Sequence, residues 1–168
     1  CSMNHKAGSF FVDPRLQRHF YSLACTMPGD TDLSTIFCTI LNSHFYNFDQ
    51  KISNMAQKLT DALINLHKEV SDKFLPSAIK FHYNFTMRDL AAVTRGLLCS
   101  RSREYTDTKQ IARLWYHEVT RVFADRLVSE LEAGRCQEMA RVVGKRFLED
   151  DPEYVYAEPI IYTNFHMS

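Results

Sequence analysis

Apolar residues that return every three to four positions run through most of this chain, and that rhythm limits what it can fold into. Leu33, Ile36, Phe37, Ile40, Leu41 and Phe45 share one face of a helix that opens after Pro28-Gly29, with Asp30 or Thr31 as its cap. A second stripe, Ile52, Met55, Leu59, Leu63, Leu66, Val70 and Phe74, predicts a helix over residues 49–74. Leu75-Pro76 ends it, because proline pushes the residue before it out of the helical region. A third helix, residues 86–99, carries Leu90, Val93, Leu97 and Leu98. Thr86 and Asp89 have the spacing of a capping box, which places Arg88 in the first helical turn. Residues 107–133 predict a long helix with Ile111, Leu114, Trp115, Val119, Val122, Phe123, Leu127 and Leu131 inward. Gly134 marks its break, and residues 135–149 give one more, basic helix.

The two ends read differently. The short apolar run "FYSLACTM", residues 20–27, stops at Pro28-Gly29 and predicts a buried strand followed by a turn. The tail "DDPEYVYAEPIIYTNFHMS" brings two prolines, three tyrosines and a β-prone run at residues 160–163, and reads as the entry to a neighbouring unit. The expected fold class is mainly α, a helical bundle with a small α/β stub at its front.

Bulk properties exclude several functions. A chain of 168 residues fits one domain or one and a half, and its 20 Lys and Arg balance its 20 Asp and Glu. No global field recruits nucleic acid or an acidic membrane, and no apolar run reaches the ~20 residues that cross a bilayer. The opening "CSMNHKAGSFFVD" lacks the pattern of a signal peptide, and a start on Cys1 reads as a fragment or a processed piece. Five cysteines, odd in number and without a C-x-x-C pair, fit free thiols in a reducing, cytosolic setting. The Asn84-Phe85-Thr86 sequon is therefore read as chance.

Enzyme signatures are missing as well. The chain has no G-x-x-x-x-G-K-[ST] loop to cradle a triphosphate, and no strand ending in an acidic pair for magnesium. His117-Glu118 lacks the second histidine of a zinc-protease helix, and His5, His19, His44, His67, His82 and His166 show no metal-ligand spacing. Each reads as a surface or capping histidine. There is no G-x-S-x-G and no cysteine with an evident histidine partner. Taken alone, the chain lacks an active site, and no metal site is expected.

What remains is a set of arginines in stiff places. In "FVDPRLQRHF", Asp13 can cap a helix whose first residue is Pro14, and Arg15 and Arg18 then share one face. By itself an Arg-x-x-Arg reads first as a solvated surface helix. Its neighbours change that reading. Met3-Asn4 and Ala7-Gly8 precede it, and about seventy residues later Arg88 opens a helix in "TMRDL". A polar residue after a strand, an arginine at a helix end and a second arginine in a helical bundle together resemble the back half of an AAA+ ATPase module. Phosphoryl transfer needs fixed cations where charge develops, and the planar, permanently charged fork of arginine suits phosphate oxygens.

Several long motifs in order, "NHKAGSFFVDPRLQRHF", "LSTIFCTIL", "FLPSAIKFHYNFTMRDL" and "IARLWYHEVTRVFADRLV", resemble the motor region of dynein heavy chains. The match is narrower still to the third AAA+ module of the ring, from just after its fourth core strand through its helical lid. "SMNHKAGSF" resembles axonemal outer-arm chains more than cytoplasmic ones. The resemblance implies three parts: residues 1–29 as the end of the AAA+ large α/β subdomain, 30–149 as the lid, and 150–168 as the lead into the next module.

The resemblance also implies roles. Asn4 falls at the sensor-1 polar residue, and Arg18 at the arginine finger that reaches the neighbouring module's nucleotide. Arg15 either supports Arg18 or pairs with a nearby acid. Arg88 falls at the sensor-2 arginine, which contacts the module's own nucleotide. The family wording there is closer to "FNLRDL", and "FTMRDL" keeps a capping residue at Thr86. The intact module would hold ATP or ADP with magnesium; the isolated chain, lacking P-loop and Walker B, is expected to hold none and to be inactive. Implied partners are the adjacent AAA+ modules of the same heavy chain, other dynein chains, and microtubules through a distant part of the parent. The implied setting is the cytoplasm, cytoskeleton and ciliary axoneme, in a microtubule motor for ciliary beating whose third module is regulatory. The competing reading of the residues is a free-standing helical interaction domain without catalysis.

Overall fold

Helices form where the apolar stripes repeat, and they end where capping or backbone chemistry demands. The computed structural model describes residues 13–148 and 151–162. Its elements are α1 (Pro14–Gln17), α2 (Asp30–Phe45), α3 (Gln50–Ser53), α4 (Ala56–Lys73), α5 (Met87–Leu97), α6 (Thr108–Val119), α7 (Glu130–Leu148) and α8 (Pro152–Val155), with a π-turn at Thr120–Ala124 directly after α6. Among the described residues there is no strand, so the mainly α class holds.

α4 lies at the centre and packs along α2 and α7, while α5 sits on α6 and α8 closes back onto α6. Phe45, Ile52, Leu59, Leu66, Leu90, Ile111, Trp115 and Phe123 are sealed from solvent. Each such side chain contributes about 1.5–3 kcal/mol by leaving water. Every member of the Ile52-to-Phe74 stripe is buried, as its spacing predicts.

Several expected elements differ. Residues 20–27 are irregular and exposed rather than a buried strand. A strand is completed only by ladder bonds to a neighbouring strand, and an apolar run without one gains nothing from the extended form. The helix expected over residues 49–74 is interrupted between α3 and α4, at Asn54 and Met55. Ser53-Asn54 is a pair whose side chains compete for backbone bonds and favour helix ends.

The helix expected over residues 107–133 ends early. Its last turn widens, with the Asp125 N–H bonding the Thr120 carbonyl, and the chain then breaks before α7. Gly134 lies inside α7 and breaks nothing. Because α7 starts afresh at Glu130, its face is reset and Leu131 is 76% exposed instead of inward. Ile36 and Ile40 of α2 also stay half exposed. Residues 160–162 form no strand. The stretch after α7 folds back: Val155 is buried, and Arg113 of α6 donates to the Tyr154 and Pro159 carbonyls at 2.5 and 3.1 Å.

Candidate functional site: the arginine at the start of α5

Arg88 occupies the second position of α5, behind its N-cap Thr86. The cap is reciprocal. The Thr86 hydroxyl accepts the Arg88 N–H at 3.3 Å, and Asp89 Oδ2 accepts the Thr86 N–H at 2.7 Å. Both bonds satisfy donors that a helix start leaves orphaned. The backbone on either side of Arg88 is thus held, while its side chain is exposed. Among the described residues its guanidinium holds no ion pair. A fixed base and a free cation at a helix N-terminus, whose own dipole is positive, suit an incoming anion.

The turn is held from behind. Asp89 is buried and pairs with Arg126, which also donates to the Asn84 carbonyl at 3.3 Å and lies over the Phe85 ring at 5.3 Å. Upstream, the Tyr83 hydroxyl donates to Glu132 Oε2 at 2.8 Å and accepts the Val128 N–H at 2.9 Å. Lys80 adds a 2.5 Å bond to Glu132 Oε1, which raises the lysine pKa and, with the Tyr83 bond, lowers that of the carboxyl. Every residue from Tyr83 to Asp89 therefore lies near a tether.

Arg18 stands elsewhere in the fold. The cap expected at Asp13 is formed, Oδ1 accepting the Arg15 N–H at 2.8 Å, but α1 is only four residues long and Arg18 closes it. Arg15 and Arg18 are exposed, and Arg18 Nε donates to His19 Nε2 at 3.2 Å. Among the described residues no hydrogen bond or ion pair joins either arginine to Arg88. Asn4 lies outside the described residues.

His67 is more buried than its spacing predicts. It is 8% exposed, lies edge-on to Phe123, and leaves Nε2 unpaired. Burial lowers its pKa, with the nearby Asp89 carboxylate opposing. The reason is position: His67 sits on the α4 stripe's own side, between Ile64 and Val70, both buried. Cys136 is likewise sealed, and burial pushes its thiol up to about 11, so it stays protonated at neutral pH. A cavity of about 550 Å³ beside α6 and α7 is lined by Tyr116, His117, Thr120, Gln137 and Glu158. None of the expected arginines lines it, and its carboxylate does not suit a phosphate.

Comparison with known proteins fits this geometry. Residues 59–157 match the family model described as the AAA+ lid domain. The chain is 41% identical over 164 residues to the dynein beta chain of the flagellar outer arm of Chlamydomonas reinhardtii, covering 96% of this chain. It is 42% identical over 168 residues to the ciliary dynein beta chain of Heliocidaris crassispina, and 38% identical over 166 residues to dynein axonemal heavy chain 17 of Homo sapiens, each covering 97% of this chain. The chain belongs to the AAA+ lid family, within the axonemal dynein heavy chains of outer-arm type. It spans about 4% of the length of the curated relatives it matches.

In this dynein lid, sequence reasoning located Arg88 and its capping box but missed the tether behind them. Arg126 lies in "FADRLV", where an uninterrupted helix made it an ordinary surface charge. A signal for the break was present: Ser129-Glu130-Leu131-Glu132 has the S-x-x-E spacing that marks a helix start.

Proposed function

We propose that the chain forms the lid of the third AAA+ module in an outer-arm dynein motor ring, a microtubule-based, ATP-driven machine of the ciliary axoneme. Arg88 acts as its sensor-2 residue and contacts the nucleotide of its own module. Arg18 acts as the arginine finger towards the neighbouring module, and Asn4 as sensor-1. The partners are the adjacent modules of the same heavy chain and other dynein chains, with microtubules bound by a distant part of the parent. The nucleotide, ATP or ADP with magnesium, supplies the phosphate anion that an exposed arginine at a helix N-terminus is suited to receive. Residues 1–29 end the large subdomain, 30–149 form the lid, and 150–168 lead onward.

One observation carries this reading: an exposed cation on a backbone fixed by a reciprocal cap, in a chain matching the AAA+ lid. One relative is named for the flagellar outer arm and another as ciliary, and the same setting is proposed for this chain. The test is nucleotide release from this module of the heavy chain, followed with fluorescent ADP. Arg88→Ala weakens retention by ~1.5–3 kcal/mol, the worth of a hydrogen bond to a charged group. Unchanged release would count directly against the sensor role. Arg18→Ala leaves that site's affinity intact and alters release from the neighbouring module instead.

A further inference from the structure

We infer that Arg126 is a positioning residue for Arg88, one that ties the sensor arginine to the joint between α6 and α7. The inference rests on the proposed nucleotide contact of Arg88.

Arg126 reaches the α5 start at three points, and they bracket the residue it would position. Its guanidinium takes the Asn84 carbonyl at 3.3 Å on one side of Thr86 and the Asp89 carboxylate on the other, with the Phe85 ring beneath it at 5.3 Å. Asp89 divides its two oxygens: Oδ1 goes to Arg126, and Oδ2 to the Thr86 N–H that closes the cap. Arg88 stands between Thr86 and Asp89 in the chain, so its backbone cannot shift while both oxygens are engaged. Asp89 is 6% exposed, and a buried carboxylate that loses its cation must move, take up a proton or reach water. Any of these disturbs the cap.

The other end of the tether explains why the joint matters. Arg126 follows the π-turn Thr120–Ala124 and precedes α7, in the only described stretch between α6 and α7 that is not helical. Val128, two residues on, gives its N–H to Tyr83, and Glu132 in the first turn of α7 takes Tyr83 and Lys80. The joint thus grips residues 80–89 from one side along their length. A shift of α7 relative to α6 pulls on Arg126 and, through Asp89, on the turn that carries Arg88. Arginine is needed because only a planar fork reaches a carbonyl and a carboxylate at once while stacking on a ring.

A plain structural ion pair predicts something different from a positioning role, and a double-mutant cycle separates them. The experiment uses the heavy chain and reads the release of fluorescent ADP from this module in Arg88→Ala, Arg126→Gln and the double variant. Arg126→Gln is expected to speed release about five- to tenfold, and to add less than about twofold once Arg88 is alanine. Arg126→Lys keeps the charge but loses the fork, gives a smaller acceleration, and carries the same cycle if the glutamine variant does not fold. Independent, multiplying effects of Arg88 and Arg126 overturn the inference, as does normal release in both Arg126 variants while Arg88→Ala is impaired. Normal release in Arg88→Ala itself refutes the sensor reading instead.

Discussion

Gly96 and Gly134 both lie within helices, yet a methyl group added at each meets opposite surroundings. At Gly96, on the face of α5 that meets α6, an added Cβ would lie 2.1 Å from Oε2 and Cδ of Glu118. Glu118 is 7% exposed and bonded to Arg121 at 2.6 and 3.1 Å, so moving it breaks a part-buried pair. At Gly134 nothing lies within 4 Å of an added Cβ, and the glycine only weakens α7. Gly96→Ala should therefore destabilise the chain by about 1–3 kcal/mol. Gly134→Ala should stabilise it by about 0.5–1 kcal/mol. Urea midpoints of the two variants check this; shifts of the same sign would show that the close approach of α5 and Glu118 is misjudged. Neither effect is legible in the sequence, where Gly96 sits unremarked in an apolar stripe and Gly134 looks like a helix stop.

At the scale of elements, local chemistry was legible and long-range chemistry was not. The Thr86–Asp89 cap involves residues three apart, and it forms as its spacing predicts. The Asp13 cap before Pro14 also forms, but none of the residues of α1 is buried, and it ends after four residues. Capping starts a helix, whereas length comes from a packed face. The break at residues 125–129 depends on Tyr83, Asn84 and Asp89, some forty residues away, which capture Arg126 and Val128. Residues 20–27 make the same point from the other side, since a strand depends on partners that the run itself cannot name. For the candidate site, Arg88 and its cap were readable and the contacts behind them were not.

Across the whole molecule, three histidines tie stability to pH. Burial holds His44, His67 and His117 below the ordinary imidazole value of 6.5. Below that value the unfolded chain binds protons that the folded chain resists, so stability rises with pH there. It is fully present above 6.5 and is lost as pH falls towards the folded pKa values. The urea midpoint should drop between about pH 7 and about pH 5.5, and drop less in His67→Leu, which removes a buried ring with an unpaired nitrogen. An equal drop in that variant would place the protonation elsewhere. The arrangement as a whole, a bundle around α4 with the fixed, exposed Arg88 at the start of α5, is consistent with the proposed lid over a nucleotide. The most direct measurement is the structure of the heavy chain with ADP bound at this module. The account predicts the Arg88 guanidinium about 2.7–3.2 Å from a phosphate oxygen, with Arg126 still on Asp89. An ADP-bound module with Arg88 turned to solvent, and the phosphates held only from elsewhere, would contradict it.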